Sequence, residues 1–79
     1  MNRYEVRDAL LAAGAPRHAF VIDGVHEPVP PPPDHWFLRR RDSGDWEVGA
    51  YERGEHDVRL RTPSEADACA LLYRALTGT

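Results

Sequence analysis

Three stretches, HWFLRRR (35–41), WEVGAYE (46–52) and DVRLR (57–61), follow one another with only DSGD and RGEH between them. Each alternates in the period-two pattern of a strand that turns one face to a core. In the first, Trp36, Leu38 and Arg40 share one face and Phe37, Arg39 and Arg41 the other. In the second, Trp46, Val48 and Ala50 point inward while Glu47, Gly49 and Tyr51 point outward. In the third, Val58 and Leu60 oppose Arg59 and Arg61. Connections this short and polar suit hairpins, so the region predicts antiparallel strands.

The flanks predict helices. Asn2 followed by Glu5 has the form of a capping box, and Val6, Leu10 and Ala13 continue at helical spacing until Gly14 and Pro16. HAFVI (18–22) reads as a short strand closed by Asp23-Gly24. Near the other end, TPSE predicts a helix capped by Thr62, with Pro63 in its first turn and Glu65 completing a second capping box. Its stripe is Cys69, Leu72 and Leu76, with Ala66, Ala70 and Tyr73 beside it and Gly78 just past its end. The expected fold is α+β: one small domain over 1–79 in α-β-β-β-β-α order, an antiparallel meander with both helices on one face.

Between the first two strands lies a proline-rich loop, 25–35, in which Pro28, Pro30, Pro31, Pro32 and Pro33 fall within six positions. Pro28 and Pro31 match the PxxP spacing of peptides read by SH3-type domains. The reading adopted is a stiff inter-strand connector.

Composition narrows the chemistry. A chain of 79 residues builds one modest core with little room for a deep cleft. The lone Cys69 cannot form an internal disulfide, which fits a reducing compartment. The charged N-terminal run, with Arg3, Glu5, Arg7 and Asp8, resembles neither a signal peptide nor a membrane span, so a cytoplasmic location is expected. All ten basic residues are arginine, the mark of a GC-rich coding bias, and the net charge of −3 weighs against nucleic acid.

Four histidines, His18, His26, His35 and His56, lack the paired spacing of a metal site, and no metal or cofactor is expected. Cys69 sits within an apolar stripe and reads as a packed thiol rather than a nucleophile. The only serines, Ser43 and Ser64, fall in a turn and a cap. Arg39, Arg40 and Arg41 beside Trp36 and Phe37 would suit nucleic acid, yet alternation splits them between faces and acidic residues stand close by. What remains is a charged face carrying Arg39, Arg41, Glu47, Tyr51, Arg59 and Arg61, a composition found both on solvated sheets and in protein interfaces.

The run from Trp36 to Leu76 also resembles small immunity-type proteins that accompany polymorphic toxins in actinobacteria. The shared elements are an aromatic strand ending in arginine (Trp36 to Arg41), a Gly-x-Trp turn (Gly44 to Trp46), a strand end like Tyr-x-Glu-Arg-Gly (Tyr51 to Gly54) and an acidic helix start leading to Ala-Cys and paired leucines (Glu65 to Leu72). Two features depart from that pattern, Tyr51 followed directly by Glu52 and Gly49-Ala50 where bulkier residues are common, and the proline run has no counterpart in it. The resemblance implies a non-catalytic inhibitor that binds a cognate toxin domain, as a monomer or weak homodimer. Phe37, Arg39, Arg41, Tyr51, Glu52 and Arg53 are the expected contacts. A small nucleic-acid-binding domain using the arginine-rich strand, or an orphan regulatory or structural domain, are the alternatives.

Overall fold

The computed structural model describes residues 1–78. Helix α1 (Arg3–Ala12) is followed by strands β1 (Phe20–Ile22), β2 (His35–Arg40), β3 (Trp46–Glu52) and β4 (Glu55–Thr62), and by helix α2 (Glu65–Thr77). The sheet order is β1-β2-β3-β4. The predicted capping box forms: Asn2 accepts from the Tyr4 and Glu5 amides, while the Asn2 amide donates to Glu5 Oε1 at 2.8 Å. Gly78 closes α2 in the left-handed region, which a residue without a Cβ enters freely.

The sheet is not the antiparallel meander expected. β2, β3 and β4 are antiparallel, but β1 runs parallel to β2, with Phe20 beside Trp36 and Ile22 beside Leu38. A parallel neighbour requires a crossover of about a dozen residues, and 23–34 supplies it. The proline run is the returning limb of that crossover, where rings without N–H groups leave few backbone donors to satisfy. Pro28 and Pro32 are buried while Pro30, Pro31 and Pro33 are exposed, so Pro28 and Pro31 are not jointly presented as a PxxP ligand. His26 anchors the start of the crossover: its ring stacks on Phe20 at 4.2 Å, and Nε2 lies 2.7 Å from the Arg17 carbonyl oxygen.

The second cap also differs. Ser64, not Thr62, caps α2, its hydroxyl accepting from the Asp67 amide at 3.1 Å. Thr62 instead ends β4 opposite Trp46, and Pro63 lies between strand and helix rather than within the first turn. Glu65 is thereby freed to accept from the Arg3 amide at 3.0 Å, tying the start of α2 to the start of α1.

Both helices lie on one face of the sheet. Val6, Leu10, Phe20, Ile22, Leu38, Trp46, Val48, Ala68, Cys69 and Leu72 form one buried cluster. On α2 the stripe is Ala68, Cys69 and Leu72 with Leu76 partly buried; Ala66 and Ala70 face solvent.

β4 breaks the simple alternation. Val48 pairs with Leu60, but Gly49 pairs with Val58, so Arg59 is the extra residue of a bulge. Val58 thus joins the face of Gly49 and Phe37, while Leu60 keeps the helix side. Arg59 goes with Leu60: its guanidinium lies 5.5 Å from the centre of the Trp36 ring and pairs with Asp57 at 2.7 Å. Gly49 makes the bulge possible, because a Cβ there would run into the Asp57 carbonyl oxygen.

Candidate partner-binding face

The face of the sheet away from the helices is built in three cross-strand rows. His35, Tyr51 and His56 form the first, Phe37, Gly49 and Val58 the second, and Arg39, Glu47 and Arg61 the third. Each row follows from register: β2 and β3 pair without slippage, and the two-residue turn Arg53-Gly54 sets Tyr51 opposite His56.

In the third row Glu47 is 4% exposed although it lies in a strand centre on the uncovered face. Arginines cover it. Arg39 donates from Nε to Glu47 Oε1 at 2.9 Å, and Arg61 donates from Nε and Nη2 to Oε2 at 2.8 and 2.6 Å. Arg41 Nε stands 3.8 Å from the same oxygen. Hydrogen bonding from Arg61 holds the Glu47 carboxyl below the usual carboxylate range, with Arg39 helping and burial opposing. A charge this deeply buried is tolerated because both oxygens are engaged.

The first row is a stack. His35 lies on Tyr51 with ring centres 4.8 Å apart, Tyr51 meets His56 at 4.6 Å, and His56 sets its edge against Phe37 at 4.8 Å. Arg39 lies 5.0 Å from the Phe37 ring centre, joining the aromatic row to the arginines. Partial burial pushes the His56 imidazole below its ordinary value, and the charges of Arg39 and His35 act in the same direction.

Beside the first row a cleft of about 550 Å³ opens between the proline limb and the β3–β4 turn. Pro31, Pro32 and Pro33 wall one side, and Arg53 and Gly54 the other. Arg53 has a φ of 54°, in the left-handed region that costs a side-chain-bearing residue of order 1 kcal/mol or more.

The six residues expected as contacts are therefore distributed unequally. Arg39, Arg41 and Tyr51 share the open face, and Arg53 lines its cleft. Phe37 is on the same face but only 3% exposed, so it supports the surface from beneath. Glu52 lies on the helix side, beside Ala19, Trp36 and Leu76. Arg59, expected on the charged face, is on the helix side through the bulge. Of the three consecutive arginines, Arg40 packs over Trp46 at 5.6 Å, as alternation predicts.

Sequence reading missed His35 and His56 as members of the site. His35 shares the parity of Phe37 and Arg39, which was legible. His56 depended on reading Arg53-Gly54 as a two-residue turn rather than RGEH as a four-residue one.

Cys69 is fully buried, and desolvation pushes its thiol up to about 11. Among the described residues, no group of three or more His, Cys, Asp or Glu is placed to hold a metal ion, and no helix is long and apolar enough to cross a membrane. No protein-family model, curated protein or solved structure matches the chain.

Proposed function

We propose that this chain is a non-catalytic immunity-type protein that docks a cognate toxin domain on the open face of its sheet and so neutralises it. The observation that carries this reading is the division of labour across the sheet. Both helices pack on one side, while the other presents two arginines hydrogen-bonded to one buried carboxylate, a third beside it and, next to them, a stacked aromatic row bordered by a cleft.

Such a surface suits protein recognition. Guanidinium groups and tyrosine are enriched in interfaces, and side chains already held in place lose less freedom on binding. The Trp36-to-Leu76 resemblance to immunity-type proteins supplies the class of partner. Nucleic acid is the second reading, since arginines and aromatic rings also serve phosphates and bases. The buried Glu47 within the arginines and the net charge of −3 disfavour it.

The test is co-expression with any toxin domain encoded beside this chain, scored by growth. Restored growth together with a complex that survives high salt supports the reading. A chain that leaves the cells arrested, or that instead retains nucleic acid released by salt, contradicts it.

A further inference from the structure

The arginine row has donors to spare. A guanidinium carries five N–H groups. Arg39 directs one to Glu47 and Arg61 two, and Arg41 approaches no nearer than 3.8 Å. Among the described residues, Glu47 is the only acceptor hydrogen-bonded to the Arg39 and Arg61 guanidinium groups and the only carboxylate ion-paired with Arg41. Three positive charges stand around one buried carboxylate, with Asp42 at the edge of the same surface but in no ion pair with them. Glu47 holds Arg39 and Arg61 from beneath, so their remaining N–H groups form a rigid fork of the kind that receives a second carboxylate.

The cleft at the other end of the face calls for a different side chain. Its lining offers the rings of Tyr51, His35 and His56 and the hydrocarbon of three prolines. Flat π faces and proline rings suit a planar aromatic group.

Spacing joins the two. From the His35–Tyr51–His56 row to the Arg39–Glu47–Arg61 row is four residues along β2 and along β3, or about 13 Å at the strand rise. Four residues of an extended partner segment cover the same distance, and residues four apart on a strand point to the same side. The position midway falls over the Phe37–Gly49–Val58 row, where the Asp57 carbonyl oxygen takes the space a Gly49 side chain would occupy and Phe37 is 3% exposed.

We propose that the open face recognises an extended protein segment bearing an acidic residue and, four positions away, an aromatic one. The carboxylate sits on Arg39, Arg41 and Arg61, and the aromatic ring enters the cleft beside Tyr51. This proposal rests on the partner-binding reading of the same face.

The experiment is an NMR titration of the isotope-labelled full chain with a blocked peptide of glutamate, serine, alanine, serine and tryptophan. Two control peptides exchange the glutamate for lysine or move the tryptophan next to the glutamate, and a third arm uses a single-stranded oligonucleotide. The expected result is saturable shifts in both subsites, at Arg39, Arg41 and Arg61 and at Tyr51 and His56, with each control peptide weaker by about five-fold. Arg41→Glu, which removes no hydrogen bond of the fold, lowers the affinity to a similar extent.

The absence of saturable shifts, equal binding of the controls, or displacement of the peptide by the oligonucleotide overturns the proposal. The two readings fail separately. A chain that neutralises its toxin but ignores the peptide sinks only the acidic–aromatic recognition. A chain that binds the peptide with this selectivity but leaves the toxin active retains the recognition and sinks the immunity role.

Discussion

The two faces of this sheet are held by different physics. Toward the helices, Leu38, Val48 and Leu72 are fully buried in a continuous apolar cluster, and their contribution scales with the area withdrawn from water. Away from them, order comes from an ion-paired carboxylate and a run of stacked rings, interactions that are directional and modest when partly solvated. The first face holds the apolar core. The second is ordered by polar and aromatic contacts with no layer covering it, and the proposed function is placed there for that reason.

The largest way to break the contrast is at its hinge. Gly49→Ala drives a Cβ into the Asp57 carbonyl, which is backbone and cannot swing aside, so a loss of about 3 kcal/mol or more is expected, read as a failure to fold or a sharply lower denaturation midpoint. On the helix side, Leu72→Ala should cost about 2–5 kcal/mol by urea denaturation.

Glu47→Gln on the open face should cost less, about 1–2 kcal/mol, because the arginines it releases can still reach water. A loss matching that of Leu72→Ala would show that the arginine row belongs to the fold's foundations and not to a separable surface.

Arg53→Gly should act in the opposite direction. It relieves a positive φ and is expected to stabilise by about 1 kcal/mol, raising the melting temperature by about 4–8 °C. Binding of the proposed toxin partner should fall at the same time, since the variant removes a wall of the cleft. A variant that gained stability with no loss of binding would place Arg53 outside the site.

Acid supplies the smallest effects, and both belong to the open face. The folded-state value of Glu47 lies below its ordinary 4.5, so the unfolded chain binds that proton more readily. Its contribution is complete above about pH 4.5 and is lost as pH falls through the folded-state value. His56 is also lowered, from 6.5, meaning that the fold favours the neutral ring; its contribution is complete above pH 6.5 and fades as pH falls below that. Stability followed against pH should therefore decline in two stages, the later one absent in Glu47→Gln and the earlier one absent in His56→Gln.

Much of this fold was legible where local rules act alone. The Asn2–Glu5 box, the Gly78 stop, and the split of Arg40 from Arg39 and Arg41 follow from spacing. What failed depended on partners distant in sequence. The direction of β1 is decided by the path of the crossover, and the proline run signals stiffness without signalling direction. Thr62 has the chemistry of a cap, but the strand opposite Trp46 claims it first. In β4, alternation alone would keep Val58 with Leu60, whereas the bulge opposite Gly49 separates them and carries Arg59 across.

The candidate site was half legible for the same reason. Arg39, Arg41 and Tyr51 are grouped by parity, whereas the burial of Phe37 and the His35–Tyr51–His56 stack appear only once three strands are in register.

The central claim is that the open face, not the helix layer, meets the partner. Its most direct test is the affinity of the purified toxin domain for two charge reversals of equal size, Arg41→Glu on the open face and Arg74→Glu on the outer surface of α2. Arg41→Glu should weaken binding by about ten-fold or more while Arg74→Glu leaves it within about two-fold. Loss of binding in Arg74→Glu with Arg41→Glu unaffected would move the interface to the helices and contradict it.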